Sequence, residues 1–346
     1  MNNQTRVIAP YQLFFIFLIS RAVVALTFYQ SILFNGISPD SLISSALALF
    51  VNLLFCVPAC LCVKYNKNPL DTKAGRILYL IYFIYFAGVN ISRFAFFACD
   101  KTTHGDSPLF FAVLITAAAC YGAYLKIEAL ARFSLMCAVL SISVLIAIVL
   151  LNIKNFQIMN FMPFFVGTKA ETLKNSLIFS SNSIEPALFL VLQKKCDKAN
   201  AKPLFLGIIA SYLAIFIMLL FCIGVLGSAA PLFAFPVYTL FQMTAFKSFS
   251  RLDIVYTAFG FFALFSKCAV IIYSAGECIK RVNKKGEIIF LFISSLTASI
   301  LIYRRFFSEI TSGARWFYLI ITAVFLVIVP ICFLMFSRRS ENEKSI

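Results

Sequence analysis

Residues 173 to 192 read LKNSLIFSSNSIEPALFLVL. A polar cluster, Ser180, Ser181, Asn182, Ser183 and Glu185, sits at the middle of this otherwise apolar run, and Pro186 follows it directly. The run has the length of a membrane-crossing helix, about 20 residues. Proline has no backbone N–H to donate and its ring crowds the preceding turn, so a helix here is expected to break at mid-membrane. Backbone groups freed inside a bilayer must be satisfied by protein or by a water-filled cavity, which makes such a break a natural place for a polar ligand.

Composition places the whole chain in the same setting. Of 346 residues, 62% are hydrophobic and 13% charged, against about 45–50% and about 25% in soluble domains. With 13 glycines, 11 prolines and 41 phenylalanines it is neither collagenous nor disordered. Apolar runs long enough to span occur at about 10–34, 40–63, 76–98, 108–125 and 130–151. After a polar stretch with Asn152, Lys154, Asn155, Asn160 and Pro163 they recur at about 173–192, 203–226, 252–276, 286–303 and 314–336. These runs are apolar on all sides, which excludes the alternation of membrane strands. Arg6 precedes the first run without a convincing small-residue cleavage site, so that run reads as a retained helix.

The expected fold is therefore an all-α membrane protein of ten transmembrane helices in a single polytopic domain, followed by a short cytoplasmic tail at 337–346. Five is odd, so two consecutive groups of five run through the membrane in opposite senses. That is the inverted-repeat, leucine-transporter-like arrangement, with repeats at about 8–151 and 173–336. In it the first helix of each repeat is broken. Ser20 and Arg21 interrupt span one about 11 residues in, near mid-membrane at about 1.5 Å per residue, so spans one and six are both expected to break.

With the amino terminus inside, the cytoplasmic segments carry about twice as many lysines and arginines as the outer ones, so both termini are expected in the cytoplasm. Topology and anionic inner-leaflet lipid account for the net charge of +16 without a nucleic-acid partner.

Ionisable groups at the bilayer centre cost several kcal/mol unless paired or hydrated, which singles out Arg21, Glu185 and Lys267. Arg21 and Glu185 either neutralise each other or hold a ligand together with Ser20, Asn182 and Ser183. Lys267, beside Ser266 deep in span eight, lies where fold analogy puts a coupling ion, and its ammonium stands in for that cation or extends toward the cytoplasm. Arg93 is expected to snorkel near the outer end of span three, toward Asp100 or Asp106. Glu128 and Arg132, four apart, pair on one helix face. Ser250 caps span eight, with Asp253 three residues on. The segment containing Pro231, Pro236, Tyr238 and Gln242 is too short to span and reads as an outer helix over an entrance.

No catalytic or cofactor chemistry is expected. His104 is the single histidine and there is no Cys-x-x-Cys pair, which leaves a metal site without its usual ligands. Cysteines such as Cys56, Cys137, Cys222 and Cys332 lie in apolar runs as small hydrophobes. No hydrolase triad, P-loop or dinucleotide glycine pattern is present.

In order along the chain, several motifs resemble the spore germination permease family, the B-subunits of GerA-type germinant receptors. They are Ile8-x-Pro10-Tyr11-Gln12, the segment from Tyr121 through Glu128 to Arg132, Asn160-Phe161-Met162-Pro163 with Gly167, and Glu185 within span six. The strongest is Phe235-Pro236-Val237-Tyr238 followed by Ser250-Arg251-Leu252-Asp253. The resemblance implies an amino-acid/polyamine transporter-like fold in the inner membrane of a spore, a small nutrient germinant as ligand, and A-type and lipoprotein C-type subunits as partners. It leaves three readings: a germinant-sensing subunit, a secondary transporter of amino acids or related amines, or a scaffold with a closed cavity. The family commonly has glycine and then proline in span one, where this chain has Ser20-Arg21-Ala22 and Thr27-Phe28, so its ligand can differ. Arg21 suits a carboxylate and Glu185 an ammonium, a pattern that fits an amino acid.

Overall fold

The computed structural model describes residues 8–32, 37–102, 107–164, 167–196, 200–233, 235–243, 252–279, 284–303 and 312–342. Among them the chain is nearly all helix, with a lone bridge between Ile8 and Cys196. A helix covers each apolar run: α1 (Pro10–Ile32), α2 (Asp40–Lys64), α3 (Lys73–Thr102), α4 (Pro108–Tyr124), α5 (Lys126–Asn152), the pair α6 (Lys169–Ser180) and α7 (Glu185–Leu192), α8 (Lys202–Leu226), then a short α9 (Pro236–Met243). The chain continues in α10 (Leu252–Cys278), α11 (Lys284–Ile302), α12 (Ser312–Ala323) and α13 (Val329–Asn342). Seven of the described helices are long and apolar enough to cross a membrane by length and composition.

The exposed faces of the long helices are greasy at helical spacing. Leu47, Phe50, Leu54 and Val57 form such a stripe on α2, and Leu206, Ile209, Leu213 and Phe216 another on α8. Met136, Val139, Ile142, Ile146 and Leu150 do the same on α5. A water-soluble protein does not present contiguous apolar surface of this extent. These stripes face lipid, and the chain is a multi-pass membrane protein.

Span six breaks where its sequence predicts. α6 starts with a capping box, Thr168 Oγ1 accepting from the Glu171 N–H at 3.3 Å and Glu171 Oε2 from the Thr168 N–H at 2.9 Å. It ends at Ser180, and α7 resumes at Glu185 with Pro186 in its first turn, where a missing N–H costs nothing. Every residue of α7 is buried, and it packs against α1, α2, α8 and α10, so the broken helix lies inside the bundle.

Span one does not break, contrary to expectation: α1 is one continuous helix from Pro10 to Ile32. The reason is local. Arginine is a good helix former and serine only a mildly poor one, and the helix has neither glycine nor proline beyond its first residue. Ser20 and Arg21 therefore change what the helix presents without opening its backbone. A distortion unforeseen in the sequence occurs instead in the last span, where a single π turn, Val324–Ile328, joins α12 to α13.

The loop between α5 and α6 is tied down by polar bonds. The Gln157 N–H and Asn160 Nδ2 both donate to the Gly224 carbonyl, at 2.9 and 2.8 Å. Gly227, at φ 53°, ends α8 against the Asn160 side chain, a left-handed conformation that a β-carbon disfavours. Asp40 Oδ2 accepts from the Gly167 N–H at 2.8 Å, linking the start of α2 to this loop.

Candidate functional site in the broken helix

At the break, α1 faces the gap between α6 and α7. Ser20 Oγ donates to Glu185 Oε1 at 2.9 Å, and the other carboxylate oxygen accepts from the Ile184 N–H at 3.0 Å. A carboxylate in the first turn of α7 is also favoured by the helix dipole. Arg21 Nη2 donates to the Phe179 carbonyl at 2.8 Å and to the Tyr212 hydroxyl at 2.5 Å, while Nη1 reaches Ser183 Oγ at 3.4 Å. Its guanidinium lies over the rings of Phe179 and Tyr212, 5.2 and 5.0 Å from their centroids. Arg21 and Glu185 make no ion pair with each other; each is held by different groups.

Four residues not singled out in the sequence complete this centre. Asn52 on α2 donates to the Tyr212 hydroxyl and accepts from Ser183 Oγ, binding α2, α8 and the break together. Tyr82 on α3 donates to the Ser183 carbonyl at 3.0 Å, and Thr322 on α12 to the Ser181 carbonyl at 2.6 Å. The carbonyls released by the break are thus capped by side chains of distant helices. The ring of Tyr82 also stacks on Phe325 in the π turn, with centroids 4.6 Å apart, and Tyr79 donates to the Phe325 carbonyl at 3.0 Å. A lone amide such as Asn52 in an apolar run was the available signal; the tyrosines gave none.

Ser20, Arg21, Asn182, Ser183 and Glu185 are all buried. Lys267 is 1% exposed, and its Nζ, which has no hydrogen-bond partner, lies 5.6 Å from the Phe86 ring centroid. It faces α3. The neighbouring Ser266 is hydrogen-bonded to Ser134 of α5 at 2.7 Å. Asn182 Nδ2 is likewise unpartnered. Arg93 differs from the snorkelling expected of it: its guanidinium lies 5.5 Å from the Tyr318 ring centroid, with Nη1 buried and unpartnered.

The remaining sequence candidates are apart from this centre. Glu128 and Arg132 form an exposed pair at 2.5 Å, and Asn160 and Pro163 belong to the loop before α6. Pro236 is buried at the start of α9, which packs on α8 and α10. Arg251, Ser250, His104 and the side chains of Asp253 and Asp100 lie outside the described residues, as does Asp106. Among the described residues no group of three or more His, Cys, Asp or Glu side chains could hold a metal ion.

A helical bundle with lipid-facing stripes and a helix broken at a buried polar centre has the architecture of a membrane permease. Residues 7–303 match the family described as Spore germination protein, and the chain belongs to that family. No curated protein matches it. Among solved structures it is similar to Mhp1, a nucleobase-cation-symport-1 family transporter, in a closed conformation with bromovinylhydantoin bound. The TM-score is 0.59 at 15% identity, over 94% of this chain and 78% of that one. The inward-facing conformation of Mhp1 gives 0.46 at 13% identity, covering 98% and 81%. The first likeness establishes the transporter-type fold.

Proposed function

We propose that this chain is the membrane subunit of a spore germinant receptor, and that a small nutrient binding where span six breaks triggers germination. The observation that carries the reading is the break itself: a polar centre of Ser20, Arg21, Asn182, Ser183 and Glu185 inside an apolar bundle, in a spore germination protein. Maintaining charges there costs several kcal/mol unless they are used or fully paired. The pairing of an acid and a base suits an amino acid. In this reading Lys267 takes the place of a coupling cation, ten helices cross the spore inner membrane as inverted repeats, and both termini are cytoplasmic. The partners are A-type and lipoprotein C-type subunits. A secondary transporter for amino acids or related amines shares the fold, and solute uptake by the isolated protein in vesicles distinguishes it.

Deletion in the source organism, with germination scored over a panel of nutrients, is expected to abolish the response to one nutrient and spare others. That response is expected to be equal in sodium and potassium buffers, because a fixed ammonium repels a second cation by several kcal/mol in a low-dielectric site. An unaltered germination profile overturns the receptor role, and strong sodium dependence overturns the part given to Lys267.

Orientation has its own test. Ile158 and Met159, 76% and 77% exposed, lie in the loop placed outside, and Tyr65 ends α2 on the side placed in the cytoplasm. Single cysteines at 158 or 159 in a background without accessible thiols are expected to react with a membrane-impermeant maleimide only from outside, and at 65 only from inside. The reverse pattern inverts the topology.

A further inference from the structure

Among the buried side-chain atoms without a hydrogen-bond partner, donors outnumber acceptors. Five buried side-chain atoms among the described residues lack a partner: Tyr85 Oη, Arg93 Nη1, Asn152 Oδ1, Asn182 Nδ2 and Lys267 Nζ. Native proteins satisfy roughly 90% or more of such atoms, so each orphan calls for a reason. Three of the five can only donate, and Tyr85 can donate as well. Four of them lie on α3, on α10 or in the break. Each Glu185 oxygen accepts one hydrogen bond, from Ser20 Oγ and from the Ile184 N–H, and neither is bonded to Lys267 or Asn182.

Charge is one-sided in the same sense. Around the break the buried ionisable side chains are two bases, Arg21 and Lys267, and one acid, Glu185. Arg21 is bonded to Phe179, Tyr212 and Ser183 and the Arg93 guanidinium lies over the Tyr318 ring, whereas the Lys267 ammonium has no polar partner and sits on a helix that packs against α7. A continuous α1 also offers no freed backbone N–H to an anion.

We propose that the Lys267 ammonium and the Asn182 amide together bind the carboxylate of the ligand, and that the site takes carboxylates and rejects their amides. The proposal rests on the mid-membrane binding reading above and names the chemical class it admits. A carboxylate supplies up to four acceptor sites to donors that have none and brings the local charge closer to balance. The carboxylate is the end of the ligand that the two unpartnered donors recognise, so it sets the class.

The test uses the full chain purified in detergent, with ligand-induced shifts of the thermal unfolding midpoint and calorimetric titration. Probes are matched sets on the alanine, valine and leucine skeletons: the amino acid, the acid lacking the amine, and the amino-acid amide. Acid forms of at least one set are expected to bind, with the matched amide weaker by about tenfold or more, the worth of a charge-assisted hydrogen bond. Lys267→Met is expected to weaken that binding by a similar factor, and Lys267→Arg to retain part of it. Without ligand, Lys267→Met is expected to unfold at a higher temperature than the parent, since an unpaired buried cation is lost; a purely structural lysine gives the opposite shift. Amides binding as well as acids, or Lys267→Met binding as well as the parent, overturns the proposal. Binding of neutral solutes such as glucose or inosine with no acid bound overturns the carboxylate class and leaves the mid-membrane site standing; no binding by any probe overturns both.

Discussion

Arg21→Ala is expected to lower the stability of the protein by about 3–5 kcal/mol, the cost of removing one member of a buried charged network. The truncation leaves the Phe179 carbonyl, the Tyr212 hydroxyl and Ser183 Oγ short of a donor. It also removes a guanidinium packed against two aromatic rings, an arrangement worth up to about 2 kcal/mol when desolvated. Glu185 then keeps its two hydrogen bonds in a centre that has lost a positive charge. Equilibrium unfolding in mixed micelles measures the loss, and a cycle with Glu185→Gln apportions it. If uncompensated carboxylate charge is the main cost, the double variant recovers part of the single variant's loss. If broken hydrogen bonds dominate, it recovers none. A change within about 1 kcal/mol of the parent would reduce Arg21 to the level of a surface ion pair. In spores the same substitution is expected to shift the germinant concentration response while the protein still inserts in the membrane.

What the sequence revealed and what it hid follow one physical line. Membrane spans are legible because the bilayer imposes a length and a composition on them; helices cover the expected apolar runs, and seven of those described are long and apolar enough to cross. The break in span six is legible because Pro186 acts on the backbone itself. Ser20 and Arg21 misled because they signal polarity, which is a property of side chains, and a helix carries polar side chains without opening. The π turn at Val324–Ile328 carries no comparable mark. Within the candidate site, charge was readable, since Arg21, Glu185 and Lys267 stand out against an apolar background. Their partners were not. Asn52, Tyr82, Tyr212 and Thr322 come from four helices separated by up to 270 positions in the chain, and their convergence is set by packing among helices that are apolar on every side, where periodicity does not identify an inward face.

That convergence carries the second large effect. Two hydroxyls, Tyr82 on α3 and Thr322 on α12, donate to the carbonyls of Ser183 and Ser181, which the break has released. A buried carbonyl without a donor costs about 1–3 kcal/mol, so Tyr82→Phe with Thr322→Val is expected to destabilise the break by about 2–5 kcal/mol, allowing for partial relaxation. Both substitutions keep nearly the same shape, and the ring of Tyr82→Phe still stacks on Phe325, so the loss is confined to the hydroxyls. Hydrogen–deuterium exchange resolves it: peptides covering 180–192 are expected to exchange about thirtyfold to several thousandfold faster than in the parent, with α4 and α5 unchanged. The two donors also link the break to the last span, whose π turn offers its Phe325 carbonyl to Tyr79. Freeing the break from α3 and α12 is therefore expected to uncouple ligand binding from germination, with the nutrient still bound by the purified protein and spores carrying the double variant failing to respond. Normal germination together with unchanged exchange would mean that the break is held by the Asn52 and Arg21 network alone, and that the last span plays no part in the response.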